Sequence, residues 1–399
     1  MRCNGFPFVS SSLTQEHSQE FVLRPLLNIL AFALLLFLAP SASGQQEDVR
    51  IMQRVDTAHP HVREVLQRWV DSLRNWRGDV RGVAQNRGFF TSTGSIVRDW
   101  FSQDNDVVMQ FPATVMSVEY DGGGWVVRTI FARLDATSRI VIPLGIIRAR
   151  FVLAADASGM IGWQLEDALK KAIVLWDTTR VDGISFIHPR DITVDVGRAK
   201  ESPIFCEAIS ERFGLQAPIS IQVILTHDRD ELCRILGLEY YAFPPQALSF
   251  PEASLIIEAG NESYHPHELV HLVFKDFDGA HPILREGLAT LLGGTGVMDF
   301  SDALAEYLEA HANARIPSFV ELFTGVHIDQ SDEYILGAVI CDLVLRYHGR
   351  AALLELLRNQ RPSDVMIALS TLLGFDIADR QESLRSMAEA AYSRGVTGR

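Results

Sequence analysis

Ser263-Tyr264-His265-Pro266-His267-Glu268-Leu269-Val270-His271-Leu272-Val273-Phe274 places two histidines four residues apart, with a glutamate beside the first and apolar residues at most other positions. The stretch reads as a helix: Pro266 is tolerated in a first turn, Leu269, Val270, Leu272, Val273 and Phe274 are apolar, and Gly279 lies past the end. Helical spacing puts His267 and His271 on one face, where two imidazoles can hold one cation. Neutral imidazole nitrogens suit Zn2+, which takes nitrogen, sulfur and oxygen donors in a tetrahedral set. Glu268 follows at roughly a quarter-turn, beside that position, where a carboxylate can take a proton from water. The competing reading is a core helix with two hydrogen-bonded histidines.

Moving outward, His281-Pro-Ile-Leu-Arg-Glu286-Gly-Leu-Ala289-Thr-Leu-Leu-Gly-Gly294 supplies a second helix over Ile283–Leu292, stopped by the glycine pair. A zinc site of two histidines needs a further protein ligand, and Glu286 is the candidate. Leu284, Leu288, Leu291 and Leu292 surround it in sequence, so its helix packs inward. An unpaired buried carboxylate costs several kcal/mol, which a metal ion would offset. The competing reading is a surface pair with Arg285. The expected complement is one zinc per chain on His267, His271 and Glu286.

Residues 182–358 resemble the gluzincin-type zinc metallopeptidases, in particular the peptidase MA-like domains. The segments that carry the resemblance are His267-Glu268-Leu-Val-His271, Pro282-Ile-Leu-Arg-Glu-Gly-Leu-Ala289, and Tyr334-Ile-Leu-Gly-Ala-Val-Ile-Cys-Asp-Leu-Val-Leu-Arg-Tyr347-His-Gly349. A looser match is Phe213-Gly-Leu with Ile219–Leu225 and Asp228–Leu236. The resemblance implies zinc on His267, His271 and Glu286, Glu268 as general base, and hydrolysis of a peptide or protein substrate. It also implies that Ala253–Glu258 is the sheet edge along which a peptide pairs. Tyr334, which opens the third segment, is the candidate stabiliser of a developing oxyanion. Its competing reading is a core aromatic at a helix start; His311, His327 and His348 are alternatives. His265 reads as a supporting or surface residue, and Arg285 as a partner for a carboxylate. Two other functions remain open: a non-catalytic, zinc-stabilised envelope binding protein, and a zinc hydrolase acting on a non-peptide amide or ester.

The rest of the 399-residue chain sets the frame. Its 50 acidic against 36 basic residues give a net charge of -14, which argues against a nucleic-acid partner. Arg24 precedes an apolar run to Ala39 and then Ser41-Ala-Ser-Gly44, the pattern of a secretory signal peptide over 1–44. The expected location is therefore secreted, periplasmic or cell-envelope, with membrane association if that segment stays uncleaved. Cys206, Cys233 and Cys341 remain; Cys206–Cys233 is the pair an exported chain would form, and buried free thiols are the alternative. Oligomeric state is not legible.

The expected class is α+β in two domains. Residues 45–178 form an accessory domain: a helix over Val62–Trp76, then strands over Val107–Gln110, Thr114–Tyr120, Trp125–Ala132, Arg139–Ile142 and Ile147–Ala154, with turns at Asp121–Gly124 and Asp156–Gly159. That order resembles a nuclear-transport-factor-2-like helix and curved sheet. Residues 179–399 form the catalytic domain. Strands are expected over Gly183–His188, Ile219–Leu225 and Ala253–Glu258, and a helix from Ser202 as cap to Phe213. A short helix over Asp228–Leu236, a loop over Glu239–Phe250 and a helical half from Tyr264 complete it.

Overall fold

The computed structural model describes residues 49–78, 111–135, 138–155, 158–296, 298–325, 329–374 and 383–397. The leader, the strand expected over Val107–Gln110, the first half of the Asp156–Gly159 turn and His327 lie outside these residues. The chain divides into two compact units. Of the smaller, Met1–Asp48 with Leu134–Ile142, the described part is a hairpin tip where Asp135 N–H donates to Ile140 O at 2.9 Å. Everything below concerns the larger unit, Val49–Arg133 with Pro143–Arg399, and the class is α+β.

Helix α1, Pro60–Gly78, buries Val62, Val65, Leu66, Trp69, Val70 and Leu73, the residues whose helical spacing marks it in the sequence. They pack on a six-stranded sheet of order β1-β2-β3-β4-β5, with β9 added on β4. The strands are β1 Val49–Ile51, β2 Ala113–Tyr120, β3 Trp125–Leu134, β4 Val141–Ala155, β5 Ile161–Leu165 and β9 Leu238–Tyr241. The turn Asp121–Gly124 joins β2 and β3 as expected: Asp121 Oδ1 accepts from the Gly123 and Gly124 N–H groups at 3.3 and 3.1 Å. A Cβ on Gly124 would stand 2.3 Å from Phe151 O, so glycine is required there. The two strands expected around Pro143 are one, Val141–Ala155, and Gly145 and Ile146 pair with Tyr241 and Tyr240 of β9.

A short helix α2, Ala168–Ile173, leads into the second sheet, of order β10-β11-β8-β7-β6. Its strands are β6 Asp177–Val181, β7 Ile184–His188, β8 Ile221–Thr226, β10 Ala247–Phe250 and β11 Leu255–Ala259. Both faces are buried. Ile184, Phe186, Ile221, Val223, Leu225 and Ile256 join the core under the helical half. The alternating Ile187, Ile224, Leu255, Ile257 and Ala259 join the core of α1 and the first sheet. Strands buried on both faces read as continuous apolar runs, as Leu255-Ile-Ile does.

Three expectations need correction here. The segment Glu239–Phe250 is not a loop throughout: β9 and β10 flank Pro244-Pro245, β9 satisfied by ladder bonds to β4, distant in sequence, and β10 by ladder bonds to the adjoining β11. The strand around Ala253–Glu258 is not an edge; β11 lies between β10, antiparallel, and β8, parallel, so β10 is the edge. Cys206 and Cys233 are both free and buried. Cys206 belongs to the core on one face of the second sheet and Cys233 to the core on the other, so the sheet separates them.

Helices carry the remainder: α3 Val196–Ala199, α4 Glu201–Phe213, α5 Arg229–Ile235, α6 Pro266–Val273, α7 Pro282–Gly293, α8 Phe300–Ala310, α9 Phe319–Thr324, α10 Gln330–Leu356, α11 Pro362–Leu373 and α12 Ser383–Thr397. Ser202 is not a cap. Helical backbone starts earlier, at α3, where Asp195 accepts from the Gly197 and Arg198 N–H groups, and Ser202 is buried within α4. Gly214, left-handed at φ 71°, closes α4, and Gly349, at φ 78°, breaks α10. Among the described residues no helix is long and apolar enough to cross a membrane.

Candidate metal centre

Helix α6 starts with Pro266 at its first position and buries Leu269, Val270, Leu272 and Val273. Full burial of such side chains contributes roughly 1.5–3 kcal/mol each, which fixes the rotation of the helix. That rotation turns His267 and His271 toward α7, with ring centroids 5.1 Å apart. Helix α7 starts at Pro282, capped by His281, whose side chain accepts from Ile283 N–H. One turn on, Glu286 points its Oε2 at both imidazoles, 3.3 Å from His267 Nε2 and 3.4 Å from His271 Nε2. The three donor atoms lie within 4.8 Å of one another. Sequence spacing marks all three residues, and the structure brings them together.

Their surroundings orient them. His267 Nδ1 lies 2.9 Å from Gly294 O, so that nitrogen carries a hydrogen and Nε2 is left to face the cluster. A Cβ on Gly293 would stand 2.5 Å from His267 N, so the glycine pair that stops α7 also lets the two helices approach. Arg285 Nε lies 3.2 Å from Glu286 Oε1, the oxygen turned away from the histidines, and Arg285 also reaches Asp278. The surface pair weighed against a ligand role for Glu286 and the inward-facing cluster thus coexist, one on each carboxylate oxygen. Two imidazole nitrogens and one carboxylate oxygen, with His267 Nδ1 and Glu286 Oε1 hydrogen-bonded, fit a zinc ion.

The electrostatics couple Glu286 to the two histidines. Burial opposes ionisation of Glu286, yet the charge of His271 and hydrogen bonds from both histidines hold its carboxyl well below the usual range. Burial likewise opposes a charged His267, but the Glu286 hydrogen bond and the charges of Glu268 and Glu286 raise its pKa to about 9. Glu268, next to His267 on α6, is close enough for its charge to act on His267, His265 and Glu258. The Tyr334 ring, on α10, lies 5.6 Å from that of His267, nearly perpendicular at 79°.

The other candidates sort by position. His311 stacks on Tyr307 and contacts its carbonyl, and His348 is exposed; neither belongs to the cluster. His265 is tucked in, its side chain 10% exposed and 3.4 Å from Glu258. Two carboxyls near the centre have no signal in the sequence. Glu258, on β11, is buried and its pKa is pushed up to about 8, by burial first and then by the charge of Glu268. Glu333, beside Tyr334, is pushed up to about 7 by burial and by the charge of Glu286.

No family model matches the chain, and no curated protein matches it. Among solved structures it is similar to an M1 zinc metallopeptidase from Deinococcus radiodurans. The identity is 17%, the match covers 69% of this chain and 62% of that one, and the TM-score is 0.34. A mutant of that enzyme bound to a Tyr-Ser-Ala substrate matches at 16% identity over the same shares, also with a TM-score of 0.34. Aminopeptidase A from Legionella pneumophila, in complex with aspartic acid, matches at 15% identity over 60% of this chain and 28% of that one, with a TM-score of 0.31. The chain thus spans less than two thirds of the length of these proteins.

Proposed function

We propose that this chain is a zinc-dependent hydrolase, and within that class a peptidase, with one zinc on His267, His271 and Glu286. The observation that carries the reading is the convergence of His267 Nε2, His271 Nε2 and Glu286 Oε2 within 4.8 Å, with His267 oriented by a backbone carbonyl. Bound there, zinc would supply the positive charge that polarises a carbonyl and acidifies a water. The chain's own residues do the rest. Glu268 accepts the proton of the attacking water and delivers it to the leaving nitrogen. The Tyr334 hydroxyl is proposed to donate to the oxygen that becomes negative. Strand β10, the edge of the second sheet, packs against α6 and offers its outer backbone to an extended peptide, which favours a peptide over an ester. The leader pattern over 1–44 supports action outside the cytoplasm.

A zinc-stabilised binding module without activity would call for a fourth protein donor. Among the described residues the cluster holds three. The test of the mechanism is Glu268→Gln, assayed on unfolded casein and on short peptide and ester substrates. The variant is expected to lose roughly 10²–10⁴-fold in rate while zinc content stays at one per chain. Wild-type turnover by the variant, purified free of host proteases, would refute Glu268 as the base.

A further inference from the structure

Glu258 is 2% exposed on a strand whose other residues are Leu255, Ile256, Ile257 and Ala259. Its Oε1 accepts from Gln246 Nε2 at 3.2 Å, and Gln246 Oε1 in turn accepts from Arg229 Nε at 3.0 Å. Its Oε2 is fully buried, makes no hydrogen bond, and lies 3.4 Å from His265 Nδ1. His265 is the N-cap residue of α6, and its side chain makes no capping bond. Its Nε2 lies 2.5 Å from Glu262 O, so that nitrogen carries a hydrogen and Nδ1 faces the carboxyl. The contact places β11 against the residue that starts α6, two positions before His267 and three before Glu268.

A buried carboxyl with an orphaned oxygen is a poor choice for stability. An apolar side chain of similar volume would serve this core better. Local rules are broken in this way where a site needs the residue. We infer that Glu258 is a positioning residue: acting through His265, it fixes the start of α6 and so the approach of His267 and Glu268 to the metal position. The inference rests on the metal-centre reading above.

The test uses the full chain stripped of metal, as wild type, Glu258→Met and Glu258→Gln. Three quantities are read: melting temperature of the metal-free protein, zinc affinity by chelator competition, and the visible absorption of the Co2+-loaded protein. Glu258→Met is expected to melt at or above the wild-type temperature, yet to bind zinc about 10–100-fold more weakly with a shifted cobalt band. Glu258→Gln, whose amide can hold both neighbours, is expected to restore affinity to within about threefold. Wild-type zinc affinity and cobalt spectrum in Glu258→Met would overturn the inference. So would a parallel loss of melting temperature and affinity in that variant, the mark of a purely structural role. A wild-type protein that binds neither metal would overturn the metal centre itself, and is distinguishable from both.

Discussion

His267 meets Glu286, Gly294 and Tyr334 within a few ångströms, and in the metal-free chain its imidazole and the Glu286 carboxylate neutralise each other. Its pKa of about 9 lies above the ordinary 6.5. The protonated ring therefore contributes stability that is complete below pH 6.5 and lost as pH rises through 9. Zinc requires the neutral ring, so the same proton competes with the metal. Across this window the metal-free protein is expected to melt at progressively lower temperature while zinc affinity, by chelator competition, increases. A zinc affinity flat over that range would contradict the His267–Glu286 pairing. The three clustered residues, proposed as ligands, were legible because helical periodicity encodes them: four apart on α6, and on the inward face of α7. Glu258 and Glu333 were not. Nothing in Leu255-Ile-Ile-Glu-Ala259 signals that its acid faces the start of another helix, and Glu333 reads as an ordinary acid in a helix's first turn.

Helices α7 and α10 touch backbone to backbone. A Cβ on Gly287 would stand 2.2 Å from the Gly337 carbonyl carbon, and one on Gly337 would stand 2.2 Å from Ile283 O. Gly287 follows Glu286, and Gly337 lies one turn after Tyr334, so this crossing sets the distance between a proposed ligand and the proposed oxyanion donor. Gly287→Ala is expected to cost about 1–3 kcal/mol by overpacking and to weaken zinc binding. Denaturant unfolding and chelator competition check both; unchanged values would show that the crossing tolerates a methyl group and does not set the site. Helix α7 was visible in the sequence through its Pro start, apolar spacing and glycine stop. The short strands β9 and β10 were not: β9 owes its existence to β4, from much earlier in the chain, and β10 to its pairing with the adjoining β11, which its few residues do not announce. The true start of helical structure at Asp195 was masked by Ser202-Pro203, a pair that mimics a cap and first turn.

The larger unit is organised around a sheet buried on both faces. One of its cores mixes α1 and the first-sheet strands with Ile224, Leu232, Leu236 and Ile257 from later in the chain. A fragment of residues 45–178 lacks those side chains and β9. It is expected to show no cooperative thermal transition by circular dichroism, and a sharp two-state melt would contradict a shared core. The alternation of apolar and polar residues disclosed the strands, while the sharing of one core by distant segments is a tertiary fact that periodicity does not carry. The same arrangement presents α6 and α7 with their facing donors, and on it the account stands or falls. The most direct measurement is an anomalous-scattering map at the zinc edge, from crystals of the full chain grown with zinc. The account predicts one peak per chain, roughly 2.0–2.2 Å from His267 Nε2, His271 Nε2 and a Glu286 oxygen, with no protein atom in the fourth position. Crystals that show no peak between those three residues, or a peak closed by a fourth protein ligand, would contradict it.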